Sequence, residues 1–287
     1  MTLKKYLNNF ASLKDKTIVI TGGTSGIGLA LAELVLLKEG DVVLLARSLD
    51  KAKNVKNALL EKYPSSRIDI IYFDQAKKET ILAAAKTLLE QHPDFFALVC
   101  NAGIFCPNKN DLGENRVPLT YQTNIIGLTY FLEAISPHLH KEQRVILQGS
   151  LCAGFHLKKN ISLTNSSTSL FKQYVISKAM VEALFYHYSL KDIEYSIYLT
   201  EPGIVSTDII RNYPRFIRWL GKAFLKLLPN SPKKASLTIM ECLKQETVNK
   251  AYVCPRGLFT IAGYPKIKKF PKKRERQYLI DLLSKGH

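Results

Sequence analysis

The stretch Thr17-Ile-Val-Ile-Thr-Gly-Gly-Thr-Ser-Gly-Ile-Gly28 decides the fold of this chain. Its first five residues are all β-branched and predict a strand, and a helical pattern begins at Gly26. Between the two, glycines permit a tight turn and let backbone approach an anion at the helix N-terminus. This order predicts a turn that binds the pyrophosphate of a dinucleotide, with an ordinary glycine-rich loop as the alternative. The candidate binding residues are Gly22, Thr24, Ser25, Gly26, Ile27 and Gly28.

The alternation of strand and helix continues outward from this turn. Short apolar runs predict further strands over residues 41–46, 67–73, 95–100, 144–148 and 194–200, and helical patterns cover residues 26–38, 77–91, 118–136 and 172–190. Such alternation is typical of βαβ units. The predicted fold class is therefore α/β, a Rossmann-type doubly wound, mostly parallel sheet of about seven strands with helices on both faces. Since no linker or repeat interrupts the pattern, we expect one domain over residues 1–287.

The composition limits the classes of protein to which the chain can belong. With 287 residues, 46% of them hydrophobic, it can bury a sizeable core, which excludes a disordered or collagen-like chain. No apolar stretch approaches the roughly 18 residues that cross a bilayer, and no signal-peptide pattern is found, so a soluble cytoplasmic protein is expected. The five cysteines include no Cys-x-x-Cys pair, which favours reduced thiols and indicates no metal site.

The choice of dinucleotide is expected at the end of the second strand. NAD-type sites place a carboxylate there, whereas this chain has Arg47 and Ser48. A guanidinium pairs well with a 2′-phosphate, so the sequence favours NADP(H), with a solvent-facing arginine as the alternative. If the sheet is doubly wound, Asp74 and Gln75 would lie beside the adenine. The residues beside the adenosine ribose would then be Asn101, Ala102 and Gly103.

A candidate acid–base pair lies at the start of the helix predicted over residues 172–190. Tyr174 and Lys178 are four residues apart, so their side chains share one helix face. A phenol titrates near pH 10, and a nearby ammonium lowers that pKa, as a proton-transferring tyrosine requires. Ser150, just past the strand over residues 144–148, could hydrogen-bond a substrate carbonyl from the same side of the sheet.

Six ordered motifs resemble the short-chain dehydrogenase/reductase family. They are Thr-Gly-x-x-x-Gly-x-Gly from Thr21, Asn-Ala-Gly from Asn101, Asn124, Ser150, Tyr-x-x-x-Lys from Tyr174, and Pro-Gly-x-Val-x-Thr from Pro202. The resemblance covers roughly residues 15–210 and implies an oxidoreductase that moves hydride between a nicotinamide and an alcohol or carbonyl. A non-catalytic NADP-binding regulator or scaffold on the same fold is the alternative. A sugar-epimerase branch is disfavoured by its different glycine spacing.

The same resemblance implies a role for each motif. Tyr174 would be the acid–base catalyst, Lys178 would lower its pKa and bind the nicotinamide ribose, and Ser150 would polarise the carbonyl. Asn124 would hold a helix distortion and a water through which protons are relayed. The segment that contacts the nicotinamide would comprise Pro202, Gly203, Ile204 and Thr207.

Four further segments of this chain resemble the retinol dehydrogenase-like subgroup. They are the long connection between Ser150 and Tyr174, the stretch over residues 211–219, and the stretches over residues 255–259 and 263–266. Apolar residues recur at helical spacing from residue 214 to residue 228, interleaved with arginine and lysine, which predicts a substrate-lid helix over residues 211–230. A lipophilic alcohol or carbonyl substrate, retinoid-, steroid- or fatty-aldehyde-like, is therefore expected.

The positive charge is concentrated near the C-terminus. Residues 211–287 hold 18 basic and 4 acidic side chains and carry +14 of the formal net charge of +17. Residues 264–287 read as a basic extension that is solvated or lies on an anionic membrane surface; nucleic acid is disfavoured because no stacking platform or helix-turn-helix pattern accompanies the charge. The family often forms dimers or tetramers, so a homo-oligomer is an open expectation.

Overall fold

Strand β1 (Thr17–Thr21) lies between β2 (Asp41–Ala46) and β4 (Ala97–Cys100), so the sheet grows outward from it in both directions. The computed structural model describes residues 2–105, 108, 111–154, 163, 168–205, 230–257, 260–270 and 279–281. The strand order is β3-β2-β1-β4-β5-β6-β7-β8. The chain therefore reverses direction across the sheet after β3, and the crevice between β1 and β4 is the switch point at which doubly wound folds bind ligands.

The remaining strands complete one sheet. They are β3 (Ile68–Tyr72), β5 (Arg144–Gln148), β6 (Ser196–Thr200), β7 (Tyr252–Pro255) and β8 (Pro265–Lys268). All neighbours pair in parallel except β7 and β8, which pair antiparallel. The predicted doubly wound, mostly parallel fold is confirmed, but the sheet has eight strands rather than about seven. The extra edge strand has the sequence Pro-Lys-Ile-Lys, which lacks an apolar run and carries the lysines that protect an exposed edge.

Helices cover both faces of the sheet. Among the described residues they are α1 (Leu3–Asn8), α2 (Gly26–Leu37), α3 (Leu49–Lys62), α4 (Lys78–Gln91), α5 (Leu119–Tyr121), α6 (Gly127–Ile135), α7 (Leu170–Leu190), α8 (Pro232–Ala235) and α9 (Leu237–Cys242). Alternate residues of β1 supply the two cores: Val19 packs with α4, α6 and α7 on one face, and Ile18 and Ile20 pack with α2 and α9 on the other. Both faces of the sheet are therefore buried, as the continuous apolar strands predict.

Several expectations lie outside the described residues. These are most of the lid predicted over residues 211–230, Thr207, and most of the basic extension apart from residues 264–270 and 279–281. Where the chain is described, no helix is both long and apolar enough to cross a membrane.

Candidate active site

The carboxyl ends of β1, β2, β3 and β4 border a cavity of about 360 Å³. Its lining includes twelve of the nineteen residues predicted to bind the dinucleotide: Gly22, Thr24, Ser25, Gly26, Ile27, Arg47, Ser48, Asp74, Gln75, Asn101, Ala102 and Gly103. Predicted residues that are up to about eighty positions apart in the chain thus meet in one crevice at the switch point.

The turn between β1 and α2 is shaped to admit an anion. A Cβ atom at Gly28 would lie 2.5 Å from the Gly22 carbonyl oxygen and 2.6 Å from Asn101 Nδ2, so only glycine fits there. The N-cap residue of α2, Ser25, makes no side-chain hydrogen bond to the first turn. The amides of that turn therefore remain available to a pyrophosphate, which fits a bound dinucleotide.

Strand β4 fixes the position of this turn. Asn101 Nδ2 donates to the Thr21 carbonyl at 3.0 Å and to the Gly22 carbonyl at 3.4 Å, and the Ala102 amide donates to Thr21 Oγ1 at 2.9 Å. The Asn-Ala-Gly motif thereby holds the end of β1 as well as lining the cavity. This second function was not part of the sequence prediction.

The junction of β2 and α3 presents two cations to the cavity. Arg47 and Lys51 both line it, and Ser48 Oγ caps α3 by accepting from the Lys51 amide at 3.4 Å. Sequence reasoning found Arg47 and Ser48 but missed Lys51. The signal was available, because a residue three positions after an N-cap lies in the first helical turn, beside the loop that it caps.

A second cavity of about 140 Å³ adjoins the first. Ile27, Asn101 and Gly103 line both cavities. The other residues of the second cavity are Gln148, Gly149, Ser150, Tyr174, Lys178, Pro202, Gly203 and Val205. Three of the four predicted catalytic residues thus meet beside the dinucleotide crevice, together with two residues of the predicted nicotinamide segment. Ile204 lines neither cavity; its amide donates to the Ile261 carbonyl at 2.9 Å.

Tyr174 does not have the depressed pKa that the sequence predicts. Its pKa is raised to about 12, mainly by burial and to a smaller extent by the neighbouring Cys152, and only the Ser150 hydroxyl opposes the rise. A buried phenolate is poorly solvated, and no cation among the described residues lowers the pKa in compensation. The prediction that Lys178 lowers the pKa of Tyr174 is therefore wrong when only protein groups are considered. Tyr174 is a protonated acid at neutral pH.

The burial of Lys178 explains why this residue does not lower the pKa of Tyr174. Its side chain is buried and Nζ donates to the Gln148 carbonyl at 3.0 Å. Burial lowers the pKa of Lys178 to about 8, against a smaller opposing effect of Cys152. Lys178 is thus close to titrating at neutral pH and a weaker source of positive charge than an exposed lysine.

Asn124 lies in a distorted part of the helix predicted over residues 118–136. Residues Gln122–Ile126 form a π-helical turn between α5 and α6. The amide of Asn124 reaches two elements: Nδ2 donates to the Ile104 carbonyl at 2.9 Å and to Ser177 Oγ at 3.0 Å, while Oδ1 accepts from the Ile104 amide at 2.7 Å. Asn124 therefore ties the loop after β4 to the helix that carries Tyr174 and Lys178.

Two further residues near Tyr174 escaped the sequence prediction. The ring of Phe105 contacts the Tyr174 ring with centroids 4.9 Å apart, and Phe105 also lines the dinucleotide cavity. Cys152 is close enough to affect the pKa of both Tyr174 and Lys178. Neither residue belongs to a motif, so only the folding of separate segments brings them to the site. No group of three or more metal-binding side chains occurs in the part of the chain that the structure describes.

Comparison with known proteins agrees with this fold. The family model for short chain dehydrogenase matches residues 16–216. Among similar proteins, the chloroplastic short-chain dehydrogenase TIC 32 B of Brassica napus is 26% identical over 246 residues, which cover 78% of this chain and 75% of that protein.

Solved structures show the same fold. A crystal structure of an uncharacterized protein from Mycobacterium Paratuberculosis has a TM-score of 0.72 at 17% identity and covers 98% of this chain and 96% of its own. A short chain dehydrogenase from Burkholderia cenocepacia J2315 in complex with NADP has a TM-score of 0.64 at 20% identity and covers 84% of this chain and 96% of its own. The family match spans well over half of the sequence, and the chain therefore belongs to the short chain dehydrogenase family.

Proposed function

We propose that this protein is an NADP(H)-dependent oxidoreductase that interconverts an apolar alcohol and its carbonyl, with Tyr174 as acid–base catalyst. The observation that carries the proposal is the second cavity, where Ser150, Tyr174 and Lys178 lie together beside the dinucleotide crevice. Membership of the family supports the coarser statement that the protein is an oxidoreductase acting on alcohol or carbonyl groups.

Tyr174 and Ser150 have different roles in the proposed reaction. When bound, the nicotinamide would supply or accept the hydride. Tyr174 is protonated at neutral pH, so its hydroxyl can donate a proton to the carbonyl oxygen as the carbonyl carbon gains the hydride, which yields the alcohol. Ser150, on the same cavity, can donate a hydrogen bond to that oxygen as negative charge develops there. In the oxidation direction the phenolate must form first, so this direction is expected to need higher pH.

Three features favour NADP(H) over NAD(H). The cavity residues from β2 and the start of α3 are Leu45, Ala46, Arg47, Ser48 and Lys51, and none is acidic. Two cations there suit a 2′-phosphate. The similar structure from Burkholderia cenocepacia was solved in complex with NADP.

The proposed substrate is lipophilic, as in the retinol dehydrogenase-like subgroup. Apolar side chains lie beside the reacting groups: Ile27 and Val205 line the second cavity among its polar residues, and Phe105 packs on Tyr174. Ligand sites combine apolar side chains with placed polar groups, so these contacts support a lipophilic substrate.

The direct test is NADPH oxidation with a panel of carbonyls. We expect turnover of decanal, all-trans-retinal or a 3-ketosteroid and little turnover of glyceraldehyde. Tyr174→Phe should keep NADPH binding and lower kcat by at least about 100-fold, because the acid–base group is lost.

A matched control lies on the same helix. Tyr186→Phe removes a hydroxyl from α7 away from both cavities and should leave kcat unchanged. Unchanged turnover in Tyr174→Phe would contradict the mechanism. NADPH binding without turnover of any carbonyl would instead favour the non-catalytic regulator.

A further inference from the structure

Glu201 is a buried carboxyl group next to the predicted nicotinamide segment, and no motif includes it. It directly follows β6 and precedes Pro202, and its side chain is 4% exposed. A buried carboxylate is costly unless hydrogen bonds satisfy it. Its retention beside Pro202 and Gly203, which line the second cavity, therefore needs an explanation.

Two hydroxyl groups satisfy this carboxylate, one from β7 and one from the connection between β7 and β8. Thr260 Oγ1 donates to Glu201 Oε1 at 2.6 Å, and the Tyr252 hydroxyl donates to Glu201 Oε2. Lys268 on β8 lies close enough to lower the pKa of Glu201, although burial dominates and raises it. We call Glu201, Tyr252 and Thr260 the carboxylate lock.

The lock holds Thr260 in a backbone conformation that it would otherwise avoid. Thr260 has φ +60°, in the left-handed region that β-branched residues rarely adopt. Its amide donates to the Gly257 carbonyl at 3.0 Å, and its hydroxyl is fixed by Glu201. Strain of this kind persists where surrounding contacts determine the conformation, and it is often associated with a functional site.

Ile261, the residue after Thr260, contacts the segment that follows Glu201. The Ile261 carbonyl accepts from the Ile204 amide at 2.9 Å and from Asn230 Nδ2 at 3.4 Å. A Cβ atom at Gly203, which has φ +72°, would lie only 2.2 Å from that carbonyl oxygen. Asn230 Nδ2 also donates to the Pro202 carbonyl at 3.0 Å. The turn that contains Thr260 and Ile261 thus holds residues 202–204 in place. Glu201 fixes this turn through its hydrogen bond with Thr260.

From this geometry we infer that Glu201 is a positioning residue: through Thr260 and Tyr252 it locks residues 202–204 against the C-terminal strands and so sets the orientation of the nicotinamide. The inference rests on the proposed function. Glu201 does not line either cavity, so it acts through its neighbours rather than on the reacting atoms.

The lock can be tested with variants that remove one hydroxyl each. Thr260→Val keeps the shape of the side chain and removes the bond to Glu201, whereas Thr260→Ser keeps the bond. Tyr252→Phe removes the other bond and keeps the ring that packs on Phe270. Glu201→Gln removes the charge.

The chain offers a matched control for each loss. Tyr6→Phe also removes a tyrosine–glutamate hydrogen bond, to Glu241, but Tyr6 belongs to the core on the opposite face of the sheet. Thr238→Val removes a buried threonine hydroxyl that donates to the Ala235 carbonyl in its own helical region. Both controls should lower stability without affecting the cavity.

Hydrogen exchange of the amides of residues 203–205, followed by mass spectrometry, tests the lock without any cofactor. We expect exchange to be about tenfold faster in Glu201→Gln and Thr260→Val, because the Ile204 amide loses its fixed acceptor. Thr260→Ser, Tyr6→Phe and Thr238→Val should match the wild type. Unchanged exchange in Thr260→Val would overturn the lock.

Kinetic measurements with NADPH and decanal test the positioning role of Glu201. We expect kcat to fall about tenfold, the NADPH Kd to stay within about threefold, and the isotope effect of NADPH deuterated at the transferred C4 position to rise, because misorientation slows hydride transfer. Faster exchange with unchanged kcat and isotope effect would overturn the positioning role. If the wild type itself fails to oxidise NADPH, the proposed function fails, while the exchange experiment still decides whether the lock exists.

Discussion

At the scale of single residues, the buried charge of Lys178 lowers the stability of the folded protein, although the residue is proposed to act in catalysis. Burial lowers its pKa from 10.5 to about 8, which makes the charged lysine unfavourable in the folded state by about 3 kcal/mol at neutral pH. The hydrogen bond to the Gln148 carbonyl offsets about 1 kcal/mol. Lys178→Met should therefore raise the free energy of unfolding by about 2 kcal/mol at pH 7, as measured by urea denaturation, while it abolishes turnover.

The pH dependence of this gain has a definite sign. Below pH 8 both the folded and the unfolded wild type carry the charge, so the full cost is present. Between pH 8 and pH 10.5 only the unfolded state remains protonated, and wild-type stability rises relative to the variant. The advantage of Lys178→Met should thus shrink as pH rises from 8 to 9.5, while Lys172→Met, at an exposed position of the same helix, should show neither effect. A destabilised Lys178→Met at pH 7 would contradict this account.

Gly28 allows a second test at this scale. A methyl group there would overlap the Gly22 carbonyl and Asn101 Nδ2, so Gly28→Ala should distort the turn and weaken NADPH binding by at least about tenfold. Fluorescence titration with NADPH measures this. Gly154→Ala is the control, because a Cβ at Gly154 meets no atom of the described residues within 4 Å. Equal affinities in the two variants would argue against the turn as the pyrophosphate site.

At the scale of elements, the junction of β2 and α3 should decide cofactor choice. Arg47 and Lys51 line one side of the cavity, and loss of a hydrogen bond to a charged group costs about 1.5–3 kcal/mol. Arg47→Ala and Lys51→Ala should each lower NADPH affinity about 10- to 100-fold and leave NADH affinity nearly unchanged.

The Lys53→Ala variant distinguishes a specific contact with NADPH from a general electrostatic attraction. Lys53 lies exposed on α3 and does not line the cavity, so its removal should leave the ratio of NADPH to NADH affinity unchanged. A ratio that falls equally in all three variants would show that the cavity cations have no specific role.

At the scale of the whole molecule, we predict that the basic edge of the sheet binds anionic lipid. Lys266, Ile267 and Lys269 are exposed on or beside the edge strand β8, and each cation near an anionic surface contributes about 1 kcal/mol. Lys266→Glu and Lys269→Glu should therefore each weaken co-sedimentation with phosphatidylserine vesicles by at least about fivefold at low salt.

Charge-matched controls make this prediction specific. Lys53→Glu and Lys86→Glu change the net charge equally at exposed positions of α3 and α4, and neutral phosphatidylcholine vesicles test for non-electrostatic binding. If all four variants bind alike, the edge has no special affinity and its lysines serve only to solvate it.

The fold was accessible from sequence because its signals are local. The β-branched strand ending at Thr21, the glycines after it and the apolar run over Asp41–Ala46 each encode their own structure through side-chain period and backbone freedom. The same reasoning missed β8, and the helix distortion at Asn124, which the structure shows as the π-helical turn at Gln122–Ile126, was implied only by the family resemblance. Pairing of β8 with β7 and the close approach of Gln75 to Gly127 depend on partners distant in sequence.

The sequence by itself determined the motif residues of the candidate site, because the spacing of Tyr174 and Lys178 and the order of the motifs depend only on position along the chain. Only the tertiary structure decided their chemical state and their neighbours. Burial keeps Tyr174 protonated and brings Lys178 near titration, and folding brings Lys51, Phe105 and Cys152 to the site. The physical reason is that desolvation and contact depend on what packs around a group, which no local pattern of residues encodes.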